Sequence, residues 1–367
     1  MFRLRLACAL SLVVVGWITG AMQADDPLQP IPIGQKIEAS APAGAAANPA
    51  ACGCNPQGNA CDPSGLYAEI GFYYIEPRWK SNPAFFSEAI TPGTGLRTIR
   101  QQDFSFDSRL APHAAIGMIM DDGLGARIRW SQFEDTGANE SIAVGPAAIA
   151  TTATPLSLGL IAPTGSSLVT EAGVRTQLWD LELTQDFHAC HWTLVAFGGL
   201  RFGRVSQDYD AATFGAGGVL TGSLHSGHSF QGVGPTIGIE AHRPLGCGGF
   251  GLYGTTRGSL LFGHTQETAD SVTTAGEVGR AFDAKASRED VLPIWEVEIG
   301  AEYAASLGDA SLFVQAGFVG QVWFSAGNSS NTDGVSSVLL TGVPFGVTGR
   351  NTDLGFIGIN LTAGIRY

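Results

Sequence analysis

The chain of 367 residues carries little charge: Asp, Glu, Lys and Arg together make up 14%, against about 25% in an average soluble domain. That argues against a coiled coil, a charge-rich disordered chain and an ordinary cytosolic enzyme. Basic residues are scarcest, 20 Lys and Arg against 33 Asp and Glu for a net charge of −13, so nothing suggests a surface for a polyanion and nucleic acid is not an expected partner. After the N-terminal leader there is no apolar run of about 18 residues, which argues against a helical membrane protein. A Gly-x-Ser-x-Gly elbow and a phosphate loop are both missing. In their place the chain has 50 glycines and a hydrophobic content of 44%, and that glycine share is about twice the usual one.

Residues 1–24 run from Arg3 and Arg5 through an apolar core, Leu6 to Ile18, to small residues before Asp25. This is the order of a secretory signal peptide, with cleavage expected after Ala24 or Ala21. Its removal takes two Arg with it, leaving 18 basic against 33 acidic residues and a net charge of −15. Residues 25–64 are rich in Pro and Ala without apolar periodicity, the composition of a disordered tether. Within it Cys52, Cys54 and Cys61 lack a His or a second Cys pair at ligand spacing, so a local disulfide or oxidation is favoured over a zinc site.

From Gly65 the pattern becomes alternation with period two, hence strand. Leu66, Ala68, Ile70, Phe72 and Tyr74 share one face; near the end Ile357, Ile359, Leu361, Ala363, Ile365 and Tyr367 do the same. Trp295, Val297, Ile299, Ala301 and Tyr303 alternate with Glu296, Glu298, Gly300 and Glu302. Unpaired carboxylates cost several kcal/mol or more to bury, so the face that carries them must meet water. Ten such segments are expected, at about 66–75, 104–120, 124–134, 173–187, 192–206, 230–243, 250–263, 291–305, 311–325 and 353–367, with eight or twelve as alternatives. Short turns follow the even-numbered segments; long Gly/Ser/Thr/Asn-rich connections follow the odd-numbered ones.

That sorting predicts an all-β fold, a transmembrane antiparallel up-and-down β-barrel with short periplasmic turns and long external loops. In lipid every backbone N–H and C=O must be paired internally, and a closed barrel achieves this without an edge. Aromatic residues at strand ends, among them Trp130, Trp179, Trp192, Phe202 and Tyr303, fit two interfacial girdles. Pro112 and Pro235 fall inside expected strands and are expected at bulges or ends.

Parity places Glu69, Arg127, Arg129, Asp180, Glu182, Arg201, Glu240, Arg257, Glu296, Glu298, Glu302 and Arg366 in the interior. These pore-lining candidates either form a charged constriction that sets solute preference or pair with one another and fill a narrow lumen; the sequence leaves both open. His188, Cys190 and His191 belong to a short turn, and His225 and His228 to a long external loop; neither group supplies four ligands, so no metal and no cofactor is expected. Cys190 and Cys247 lie in turns expected to be neighbours and form a possible disulfide if their Cα atoms approach within about 7 Å. Asp208, Asp210, His225 and His228 near the outer rim could activate a water, but no spacing is diagnostic and the expectation is no enzyme.

The final INLTAGIRY, with Tyr367 as the last aromatic, resembles the C-terminal signal of bacterial outer-membrane barrels that their assembly machinery reads. GFYYIEPRWKSNPAF, LWDLELTQDF, GGLRFGRVSQDYD, GVGPTIGIEA and EVEIGAEY together resemble the pore-forming major outer membrane protein family typified by Legionella, in a divergent, planctomycete-like version, over roughly 65–367. The resemblance implies an outer-membrane location, a barrel and a porin-like role, with outer-membrane lipid, the barrel assembly machinery and ions or small solutes as partners. Two functions follow as expectations: passive diffusion of ions or small hydrophilic solutes, or a non-conducting structural or adhesive barrel that acts through its external loops.

Overall fold

The computed structural model describes residues 65–152, 154–156, 158–189, 192–246, 248–274, 279–330 and 352–367. The expected leader and tether, with Cys52, Cys54 and Cys61, and the Cys190 and Cys247 pair lie outside the described residues. The strands are β1 (Gly65–Trp79), β2 (Pro83–Ile90), β3 (Arg97–Asp103), β4 (Arg109–Ile119), β5 (Leu124–Ala143), β6 (Ala148–Thr151), β7 (Ile161–Ala162), β8 (Ser167–Ala189), β9 (Trp192–Phe214), β10 (Leu220–Pro244), β11 (Phe250–Thr273), β12 (Arg280–Leu307), β13 (Ala310–Trp323) and β14 (Leu354–Arg366). Ten of them close an antiparallel barrel in the order β1-β14-β13-β12-β11-β10-β9-β8-β5-β4. Each segment expected from alternation is one barrel strand.

The register fixes the barrel's geometry. Starting at Trp130 and stepping through paired residues, one path runs through Trp179, Phe202 and Val233 to Phe262. The other runs through Ala114, Ile70, Ala363, Val314 and Tyr303 to Phe250 on the same strand, twelve residues away. A shear of this size on ten strands tilts them by about 40°. The outward apolar run of β9, Trp192 to Phe202, then rises about 26 Å, the height of a lipid-facing band.

The strands extend further than the alternation suggested. β8 to β12 each have 23 to 28 residues, so much of what read as external loop is paired wall. The reason is an exchange of faces. Below the Trp179 row, β8 turns Leu181 and Leu183 outward; above it the buried, inward residues are Val174, Ala172 and Leu168, while Glu171 and Arg175 point outward. Outside the bilayer the outer face meets water, and the apolar set moves indoors.

That inner apolar wall is covered by a second sheet in the order β3-β2-β6-β7, built from the β1–β4 and β5–β8 connections. Phe104 lies 5.9 Å from Tyr209 ring to ring, and the Tyr209 hydroxyl donates to the Ala84 carbonyl at 2.7 Å. The turn between β4 and β5 is tight as expected: Gly123 takes φ 78° and donates to the Met120 carbonyl at 2.8 Å.

Pro235 is not at a bulge or an end. It sits in mid-strand opposite Leu200, and the β10–β11 register continues unshifted across it with Gly234 and Pro235 unpaired on that side. A ring nitrogen without a proton interrupts the ladder locally without displacing it. Pro112 pairs with Phe72 on β1 one residue beyond the start of the β4–β5 ladder at His113.

Gly238 faces the interior, where a Cβ would strike the Phe197 ring. Gly258 faces outward with nothing near a Cβ. Gly238→Val is expected to lower unfolding free energy by about 1–3 kcal/mol, and Gly258→Val to leave it within about 1 kcal/mol, as measured by urea unfolding of the barrel in lipid vesicles.

Candidate functional site

The twelve charged residues assigned by parity all lie on the inner face of the barrel. Most are held in one ionic layer across the lumen. Arg201 grips Asp180 with two hydrogen bonds, Nε to Oδ1 at 2.6 Å and Nη2 to Oδ2 at 2.9 Å, and reaches Glu296 at 2.5 Å. Arg257 donates to Asp180 at 2.8 Å, and its Nη2 lies 2.9 Å from Glu182 Oε1 as an ion pair out of hydrogen-bonding alignment. Arg127 pairs with Glu182 and Glu240, each at 2.5 Å. The strands bring these groups together because Arg127 faces Glu182, Asp180 faces Arg201, and Arg257 faces Glu296 across the ladders.

Phe197 completes the layer. Arg127 and Arg257 each place a guanidinium 4.7 Å from its ring centroid, and Gly238 leaves the room it needs. Desolvated cations over an aromatic ring add about 2 kcal/mol each in favourable cases. Beside the layer Arg129 Nη2 lies 3.4 Å from the Tyr73 hydroxyl, which donates to Glu298 at 2.8 Å. Asn360 donates to the other Glu298 oxygen at 3.0 Å and meets His113 at 3.1 Å. Toward the periplasm, Glu302 accepts from Gln315 at 2.7 Å and lies 3.6 Å from His242 and 3.8 Å from Arg366; Glu69 is half-buried at the same end.

The layer leaves little space. Arg201 and Glu182 are 1% exposed, and the void bounded by Tyr73, Arg129, Asp180, Arg201, Arg257 and Glu296 measures about 10 Å³, room for roughly one water. Outward of it the lumen turns apolar, with Phe133, Leu178, Val205, Leu261, Ile294, Trp323 and Phe356 buried together. Farther out, the chain beyond β13 folds inward. His228 Nε2 meets the Ala326 carbonyl at 2.9 Å, Gln207 donates to the Gly327 carbonyl at 3.1 Å, and Ser226 donates to the Ser329 carbonyl at 2.8 Å.

His225 and His228 are not in a loop: both lie on β10. Three residues apart on a strand, they face opposite sides. His228 is buried inside beside Glu267 at 3.7 Å, while His225 faces outward against Asp210 at 2.9 Å. Asp208 and Asp210 also face outward from β9, so the four residues considered for water activation are divided by the wall. His188 is the last residue but one of β8; Cys190 and His191 lie outside the described residues. Among the described residues no group of three or more His, Cys, Asp or Glu could hold a metal.

Parity found the charged residues but missed their neutral partners. Phe197, Tyr73, His113 and Asn360 also occupy inward positions, and that shared parity was the available signal; which of them would touch depends on the shear. A family model described as the Legionella pneumophila major outer membrane protein precursor matches residues 61–366. The chain belongs to this family. It is an outer-membrane protein, and the barrel just described is its membrane-spanning part. No curated protein matches. Solved structures similar to it include the outer membrane protease OmpT from Escherichia coli, at 12% identity and TM-score 0.42, covering 83% of this chain and 97% of that one. They also include the toluene transporter TbuX of Ralstonia pickettii, at 8% identity and TM-score 0.18, covering 83% and 90%.

Glu182→Gln leaves Arg127 and Arg257 short of a buried counter-charge and is expected to cost about 3–5 kcal/mol of unfolding free energy, read by urea titration. Glu298→Lys puts a second cation beside Arg129 and is expected to destabilise likewise; an unchanged midpoint would contradict the packed layer.

Outside the membrane band, partial burial pulls His225 down, but the hydrogen bond and charge of Asp210, aided by Asp270 and Asp208, hold it above the ordinary imidazole value. The pair's contribution to stability is therefore full below about pH 6.5 and is lost as pH rises through the raised value. Asp210→Asn should lower the His225 midpoint in an NMR titration.

Proposed function

We propose that this family member is a closed outer-membrane barrel, a non-conducting structural or adhesive element that presents its folded external cap and tall wall to the surroundings. The observation that carries this reading is the lumen itself. A cross-linked layer of guanidinium and carboxylate groups, an apolar core and an inward-folded segment follow one another along the axis, and in the layer Arg201 and Glu182 are almost wholly buried. Buried Arg–carboxylate pairs of this kind resist hydration because separating one leaves an uncompensated charge in a low dielectric. Asp208, Asp210 and His225 face outward while His228 is buried inside, so these rim residues do not converge on one site.

Passive diffusion of ions or small hydrophilic solutes is the second reading. The charged inner surface and the porin-like role implied by the family resemblance favour it. It requires the segment around Ala326 to leave the mouth and the ionic layer to part, two events for which the interior would have to exchange ion pairs for water. Refolded protein, shown to be inserted by heat-modifiable gel migration, should give no conductance steps in a planar bilayer at moderate voltage. Reproducible steps with ion preference would overturn the closed reading in favour of diffusion.

A further inference from the structure

The outer surface changes character within one row of residues. The row Trp130, Trp179, Phe202, Val233, Phe262 and Val291 is apolar. Two residues farther out, Arg204 lies between Gln177 and Gln231 on the neighbouring strands, with His264 beyond Gln231. Two residues along a strand tilted by about 40° raise Arg204 about 5 Å above Phe202, which is the height of the headgroup layer over the hydrocarbon core.

Arg204 differs from the other outward arginines near this boundary. Arg78 is matched by Glu76 at 3.1 Å, and Arg175 by Glu134. Arg204 is exposed and has no carboxylate partner among the described residues. Its flanking amides carry N–H donors and no charge. Higher on the same wall the outward residues turn acidic, with Asp208, Asp210, Asp270 and Glu171, so an anion has one favourable level on this face and is repelled above it.

We propose that Arg204, with the side-chain amides of Gln177 and Gln231, binds the phosphate of an outer-leaflet lipid headgroup, while Phe202 and Trp179 pack against its acyl chain. A guanidinium supplies two parallel N–H donors to phosphate oxygens, and the amides complete the set. The occupant is a membrane lipid rather than free phosphate, because the aromatic row directly below offers contact only to an anion that carries a hydrocarbon tail.

The test is native mass spectrometry of the detergent-folded barrel with phosphatidic acid, with phosphatidylcholine, and with phosphatidic acid plus inorganic phosphate. The wild-type barrel should retain phosphatidic acid preferentially, and Arg204→Ala should weaken that retention about five-fold, with phosphatidylcholine unaffected. Arg175→Ala, whose arginine already has a carboxylate, should change little. Arg204→Gln, checked for folding by heat-modifiable migration, serves if the alanine variant does not fold. Equal retention by wild type and either Arg204 variant would overturn the site. Displacement by inorganic phosphate at equal concentration would overturn the lipid as its occupant.

Discussion

A bilayer imposes opposite demands on the two faces of one strand, and those demands exchange at the row through Trp179 and Phe202. Below that row the outside must be apolar, because lipid offers no hydrogen bonds, and the inside must hold whatever polar groups remain. Above it the outside meets water. The apolar set therefore changes parity along a continuous strand: Leu200 and Phe202 point out, Val205 and Tyr209 point in. Every other feature follows from where this exchange occurs. The height of the band sets the girdles, and the reversed upper wall creates an apolar inner surface that needs a cover.

The cover comes from the long connections. Their second sheet and the chain beyond β13 bury Phe85, Phe104 and Leu160, which a solvated loop would have no reason to hide. Inside the band the problem is different. Ten strands leave a narrow lumen, and the charges that parity places there lie too close together to keep separate hydration shells. They satisfy one another instead, three arginines interleaved with carboxylates, with the Phe197 ring clasped between two of the guanidinium groups. The net free energy of such a layer is small, because desolvation offsets most of the attraction. Its effect is rigidity, since each guanidinium has a partner in a defined direction and loses it on displacement.

Much of this was legible in the residues. Period-two alternation located all ten strands, and the short and long connections gave their up-and-down order. Parity put Arg201 and Glu296 indoors without saying that they touch, because that contact depends on a shear set by the whole closed register. Alternation also stopped where it should have continued. Gln207 to Phe214 reads as loop when outward apolar residues are the criterion, yet Gln207, Tyr209 and Ala211 carry the strand onward on its other face. His225 and His228 were misread as loop residues for the same reason. The choice between an open constriction and a packed layer lay beyond the sequence, since the same side chains serve either until their distances are known.

The closed barrel proposed above requires the ionic layer to separate the external mouth from the periplasmic end. Its most direct measurement is the labelling of a cysteine at Gln315, on the periplasmic side of the layer, by a bulky membrane-impermeant thiol reagent added to intact cells. The background from native cysteines is subtracted with the parent protein. A sealed lumen gives no labelling beyond that background until the envelope is permeabilised, whereas rapid labelling from outside would mean that the lumen is open and the layer does not seal it.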